Sequence, residues 1–147
     1  MVNLHYTGQK IDAENICYIG CRDIDPKEKI LMKEAGVKMF TIRDIDKQGI
    51  HAIIEQAKQF FIDKKVNAIH FSFDMDVIDP SFAPGVGIEV PGGLSYREVL
   101  LLTEEIFDTG LVKSADFVEV NPVLDIRNKT AQMAVQLIAS LLGSKVY

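Results

Sequence analysis

The chain has 147 residues, 48% of them hydrophobic and 25% charged, with a formal net charge of −5. Those figures describe one globular domain able to bury a core without disulfide or metal staples, and they exclude a disordered or collagen-like chain. The acidic balance speaks against a nucleic-acid footprint, and with no apolar run of about 18 residues and no apolar leader core in Met1–Lys10, a cytoplasmic protein without a membrane partner is expected.

In chain order, Asn15–Gly20 reads as a first strand, stopped by glycine. Asp25-Pro26-Lys27-Glu28 then places an acid at a helix N-cap, proline at the first helical position and glutamate at the third, opening a helix that ends near Gly36. Lys38–Ile42 is a second strand. Ile50, Ile53, Ile54, Ala57, Phe60 and Phe61 recur at helical spacing, and Asn67–Phe73 is a third strand. From Asp74 to Leu94 runs a loop with three prolines and four glycines, and a loop of that length inside one domain points to function. Ser95-x-x-Glu98 is a capping box for a helix reaching about Thr109, with Gly110 behind it. Ala115–Val120 is a fourth strand and Thr130–Leu142 a last helix. Alternating strands and helices imply right-handed crossovers and a parallel sheet with helices on both faces, a single α/β unit over residues 1–147.

The chemistry concentrates after the third strand. Asp74 and Asp76, at i and i+2 of an extended segment, share a face at the carboxyl end of a parallel strand, where ligand crevices form. Neighbouring carboxylates repel, so a hard divalent cation, magnesium or manganese, is their natural partner; an exposed turn around Asp79-Pro80 is the plainer alternative. Glu119, beside Val118 and Val120, faces the same crevice if the fourth strand neighbours the third, and either a cationic substrate group or a salt bridge with Arg22 or Arg97 would satisfy it. Asp25 and Glu28 lie at the carboxyl end of the first strand, where helix capping accounts for them and receipt of an ammonium group is the alternative. Cys17 and Cys21 read as two buried thiols, and no phosphate loop or Ser/His/Asp arrangement is identified.

The run Ser72-Phe73-Asp74-Met75-Asp76-Val77-Ile78-Asp79-Pro80, followed by Ala83-Pro84-Gly85-Val86-Gly87 and Gly92-Gly93-Leu94-Ser95-Tyr96-Arg97-Glu98, resembles the ureohydrolases, the dimanganese hydrolases of guanidino compounds. Within them, Tyr96-Arg97-Glu98, Glu119-Val120-Asn121-Pro122-Val123-Leu124-Asp125 and Arg22-Asp23-Ile24-Asp25-Pro26-Lys27-Glu28 resemble arginases, and Asn128-Lys129-Thr130 into Leu141-Leu142-Gly143 those of bacillus type. The resemblance implies the carboxyl-terminal half of a three-layer αβα fold. It implies hydrolysis of L-arginine to L-ornithine and urea by a hydroxide held between two manganese ions, with Asp74 bridging both and Asp76 binding one. It implies Glu119 against the substrate guanidinium, Asp25 and, through solvent, Glu28 at the α-amino group, and Arg97 and Glu98 at the subunit contact of a trimer or hexamer.

Two departures accompany the resemblance. Gly87-Ile88-Glu89 stands where Gly-Thr-Pro is usual, removing a hydroxyl from the substrate end of the site. The family's other metal ligands and its proton-shuttling histidine belong to an amino-terminal half without counterpart in this chain, so no residue here is assigned as catalytic acid or base. The same resemblance puts one of that half's strands between the counterparts of Asn15–Gly20 and Asn67–Phe73. The alternative to partial arginase chemistry is an inactive module that assembles with itself or with a missing amino-terminal half. The motif Phe73-Asp74-Met75-Asp76-Val77 is superficially similar to the nucleophile motif of haloacid-dehalogenase-like phosphatases, but it stands mid-chain and lacks that family's ordered downstream partners.

Overall fold

The computed structural model describes residue 5 and residues 7–145; part of the leader reading at Met1–Lys10 lies outside them. A 3-10 turn at Ala13–Asn15 leads into strand β1 (Cys17–Cys21). Asp25 accepts the backbone N–H of Lys27 and opens helix α1 (Pro26–Glu34), with Pro26 in the first turn where no donor is lost. Strand β2 (Lys38–Thr41) ends one residue earlier than expected, because Ile42 begins a helix that the sequence did not announce, α2 (Ile42–Gln48). Its signal is a capping box with aspartate in place of glutamate: Asp44 N–H donates to Thr41 Oγ1 while the Asp44 carboxylate accepts from the Thr41 backbone. Gly49, at φ 81°, separates α2 from α3 (Ile50–Asp63).

Strand β3 (Ile69–Asp74), helix α4 (Tyr96–Asp108), strand β4 (Val112–Val118) and helix α5 (Lys129–Leu141) complete the chain. Strand β4 begins three residues before the expected Ala115 and stops before Glu119. The polar pair Lys113-Ser114 hides its start, and the left-handed backbone of Glu119 (φ 65°) ends it.

The strands are parallel, in two separate pairs: β1 with β2, Ile19 opposite Phe40, and β3 with β4, Ser72 opposite Asp116 and Asp74 opposite Val118. Among the described residues no ladder joins the pairs. A shared core does, in which Phe40 and Ile53 meet Phe73, Met75, Leu94, Val99 and Leu137. The apolar stripes of α3 (Ile53, Ile54, Ala57), α4 (Val99, Leu102, Ile106) and α5 (Met133, Leu137, Leu141) cover one face of β3–β4, with Phe73 stacked on Phe117 at 5.3 Å. The other face is exposed and polar: His70 bonds Ser114 at 2.8 Å and Asp116 at 3.1 Å, and Ser72 donates to Asp116 at 2.6 Å.

Candidate functional site

The long loop is an ordered clasp. Asp79 is its hub: its carboxylate accepts from the N–H and hydroxyl of Ser81 and from the N–H groups of Gly92 and Gly93. Hydrogen bonds from Ser81, first its hydroxyl and then its N–H, bring the Asp79 carboxyl down to about 2. Leu94 N–H donates a further backbone bond to Val77 O at 2.9 Å. Gly93 is required where the two ends of the clasp meet, since a Cβ there would stand 2.5 Å from Asp79 N.

Asp74 closes β3 and Asp76 lies in a 3-10 turn, Met75–Val77, with Met75 fully buried as its anchor. The two carboxylates are therefore not strand neighbours sharing a face, as expected. The turn brings Asp76 back, and Asp74 Oδ1 accepts the Asp76 N–H at 3.0 Å. Burial, then the charge and hydrogen bonding of Asp74, and more weakly the charge of Glu119, push the Asp76 carboxyl upward against the opposing pull of Arg22. The fold thus brings three expected acids to one place, the carboxyl end of β3–β4.

Glu119 gets there by backbone conformation. Its φ of 65° is sparsely populated for a residue with a side chain, and such outliers gather at functional sites. Its Oε2 lies against Gly87, where an added Cβ would be 3.1 Å away. No salt bridge to Arg22 or Arg97 forms: Arg22 spends its donors on backbone carbonyls, and Arg97 is exposed at the start of α4. Behind Glu119, Asn121 N–H donates to Gly85 O at 2.7 Å, Gly85 N–H donates to Thr130 Oγ1 at 2.7 Å, and Asp125 accepts the N–H groups of Thr130 and Ala131 at 3.0 Å. Asp125 thereby takes over the capping of α5 that Asn128 does not perform.

Asp25 and Glu28 are held on α1, and no hydrogen bond or ion pair joins them to the three acids among the described residues; Arg22, at the end of β1, ties that side of the site to the Asp76 turn. Glu98 is occupied as the capping-box partner of Ser95 at 2.8 Å. Arg22 and Asp125 carry architectural roles that were not anticipated. For Asp79 and Ser81 a signal existed, the Asx-turn spacing Asp79-Pro80-Ser81.

Asp74 and Asp76 are hard oxygen donors of the kind manganese takes, but among the described residues no three His, Cys, Asp or Glu side chains converge to hold an ion. The donors fit in kind, and among the described residues they fall short of three in number.

The model of the arginase family matches residues 1–143. The arginase of Bacillus subtilis (strain 168) is 44% identical over 146 residues, covering 99% of this chain and 49% of that protein. The mitochondrial arginase-2 of Bos taurus is 45% identical over 137 residues, 90% of this chain and 39% of its own length. The crystal structure of the Bacillus subtilis arginase superposes with a TM-score of 0.95 over 99% of this chain and 50% of that one. The chain spans about half the length of the curated relatives it matches.

Proposed function

The chain belongs to the arginase family, and on that premise we propose that it serves the hydrolysis of L-arginine to L-ornithine and urea by contributing part of the metal and substrate site. The observation that carries this reading is the placement of Asp74, Asp76 and Glu119 at the same end of β3–β4, where Asp74 bonds the Asp76 turn and the charge of Glu119 is felt by Asp76. Asp74 and Asp76 would hold manganese, as hard oxygen donors side by side at the end of β3. When bound, such a metal pair supplies activated water near neutral pH. Glu119, held beside Gly87, receives the planar guanidinium, which a carboxylate can engage through two parallel hydrogen bonds. Asp25 and, through solvent, Glu28 receive the α-amino group.

The remaining metal donors would come from a partner segment corresponding to the amino-terminal half of the relatives. The unpaired edges of the two strand pairs and the polar face bearing His70, Ser72, Ser114 and Asp116 are the surfaces such a partner would cover, because parallel sheets are stable when covered on both sides. Arg97, exposed and without an ion pair among the described residues, and Glu98 lie at the subunit contact of a trimer or hexamer. The place of work is the cytoplasm.

The test is urea release from arginine with manganese, by the chain alone and mixed with a separately produced amino-terminal half of the Bacillus subtilis arginase. No urea is expected from the chain alone, release is expected from the mixture, and Asp74→Asn abolishes it. Release by the chain alone would overturn the claim of an incomplete site. A stable complex that releases no urea would overturn the catalytic reading in favour of an inactive assembly module.

A further inference from the structure

A second charged place lies at the amino-terminal end of β2, away from the three acids. There the turn at Gly36 and the residues Lys38 and Met39 meet the last turns of α1 and α3 around a cleft of about 530 Å³. That size suits a small-molecule ligand. Lys29, Lys33, Lys38 and Lys64 line it together with one acid, Glu14. In sequence these lysines are scattered over 36 positions, from 29 to 64, and form no cluster; the fold collects them.

Much of that charge is already used. Lys64 is paired with Glu14 at 2.7 Å, and Lys38 lies 4.6 Å from the centre of the Phe40 ring. The C-termini of α1 and α3 each present about half a negative charge to the cleft. Four ammonium groups less Glu14 and two helix ends leave an excess of about two positive charges. That excess sits on Lys29 and Lys33, exposed, their ammonium groups without an ion pair among the described residues. They stand one turn apart on α1, where like charges oppose the helix and a shared anion would relieve them. The rest of the lining is apolar, with Phe60, Met39 and Val37 beside the lysines.

We propose that this cleft binds an organic phosphate monoester the size of a nucleoside monophosphate, its phosphate between Lys29 and Lys33 and its ring against Phe60 and Met39. A phosphate monoester carries about −1.5 to −2 charge near neutral pH, matching the excess. The inference stands apart from the arginase reading, since it uses none of the same residues.

Isothermal titration calorimetry of the chain with AMP, inorganic phosphate and adenosine tests it. AMP is expected to bind more tightly than phosphate, more weakly as salt rises, and about tenfold more weakly in the double variant Lys29→Gln/Lys33→Gln, with Lys47→Gln on α2 unchanged. Circular dichroism of the variants confirms that they are folded. No heat with AMP at millimolar concentration, equal affinity in the double variant, or adenosine binding as well as AMP would overturn the site. Phosphate binding as well as AMP would overturn the apolar half of it.

Discussion

The guanidinium of Arg22 donates to the backbone carbonyl of Asp76 at 2.6 Å. The same side chain reaches Val90 O at 2.7 and 3.1 Å and Val77 O at 3.3 Å, so one residue at the end of β1 holds both arms of the clasp that carries Asp76. Because β1 and β3 share no ladder, this fork and the packing of Gly20 on Val77 and Leu94 tie the two strand pairs together at the site.

Arg22→Ala is therefore expected to lower stability by about 2–3 kcal/mol, the scale of lost hydrogen bonds from a charged group. Arg22→Lys restores only part of this, since an ammonium cannot span three carbonyls as a planar fork does. Urea denaturation midpoints of the three proteins check the order.

The Asp79 carboxyl sits at about 2 when folded, against an ordinary value of 3.8. A folded value below the unfolded one adds stability that is fully present above about 4 and is lost as pH falls toward 2. Asp79→Asn places an amide against the Gly92 and Gly93 donors and is destabilising near neutral pH. The gap in melting temperature between the native chain and Asp79→Asn narrows as pH falls through that window, and thermal melts from pH 2 to 6 measure it.

Thr130 is fully buried and its hydroxyl oxygen accepts the N–H of Gly85. Thr130→Val keeps the shape and leaves that donor unpaired, at about 1–3 kcal/mol. Thr130→Ser keeps the acceptor and loses one methyl group, about 0.8 kcal/mol. Denaturant titration should rank Ser above Val although valine is the more apolar residue.

Two adjacent glycines differ for a geometric reason. At Gly93 a Cβ would overlap the backbone of Ile78 and Asp79 at 2.5–2.6 Å, whereas at Gly92 nothing lies within 4 Å and only φ 79° is unfavourable. Gly92→Ala is expected to cost about 1 kcal/mol through left-handed backbone strain alone. Gly93→Ala costs more, about 2–3 kcal/mol, by forcing the clasp apart. Their thermal midpoints give the comparison.

Much of the chain was readable from its residues. The helix at Pro26, the capping box at Ser95 and Glu98 and the apolar stripe from Ile50 rest on local spacing, and local spacing survives folding. The acids at 74 and 76 were identified by their place at the close of the third strand, and Glu119 by its place within the apolar fourth strand. In the structure a 3-10 turn at Met75 and a left-handed residue at Glu119 set their positions, where regular extended strand was expected. Helix α2 was missed because Thr41 and Asp44 form a box with the shorter acid.

Length, charge balance, the alternation of strands and helices and the family resemblance all follow from residue types and their order. The division of the sheet into two pairs, the three-carbonyl grip of Arg22, the strap from Asp125 through Thr130 to Gly85 and the collection of four lysines in one cleft follow from contacts between residues far apart in the chain. Periodicity records which face of an element is apolar. It carries no information about which distant backbone groups will find each other, and those meetings hold the acids in place.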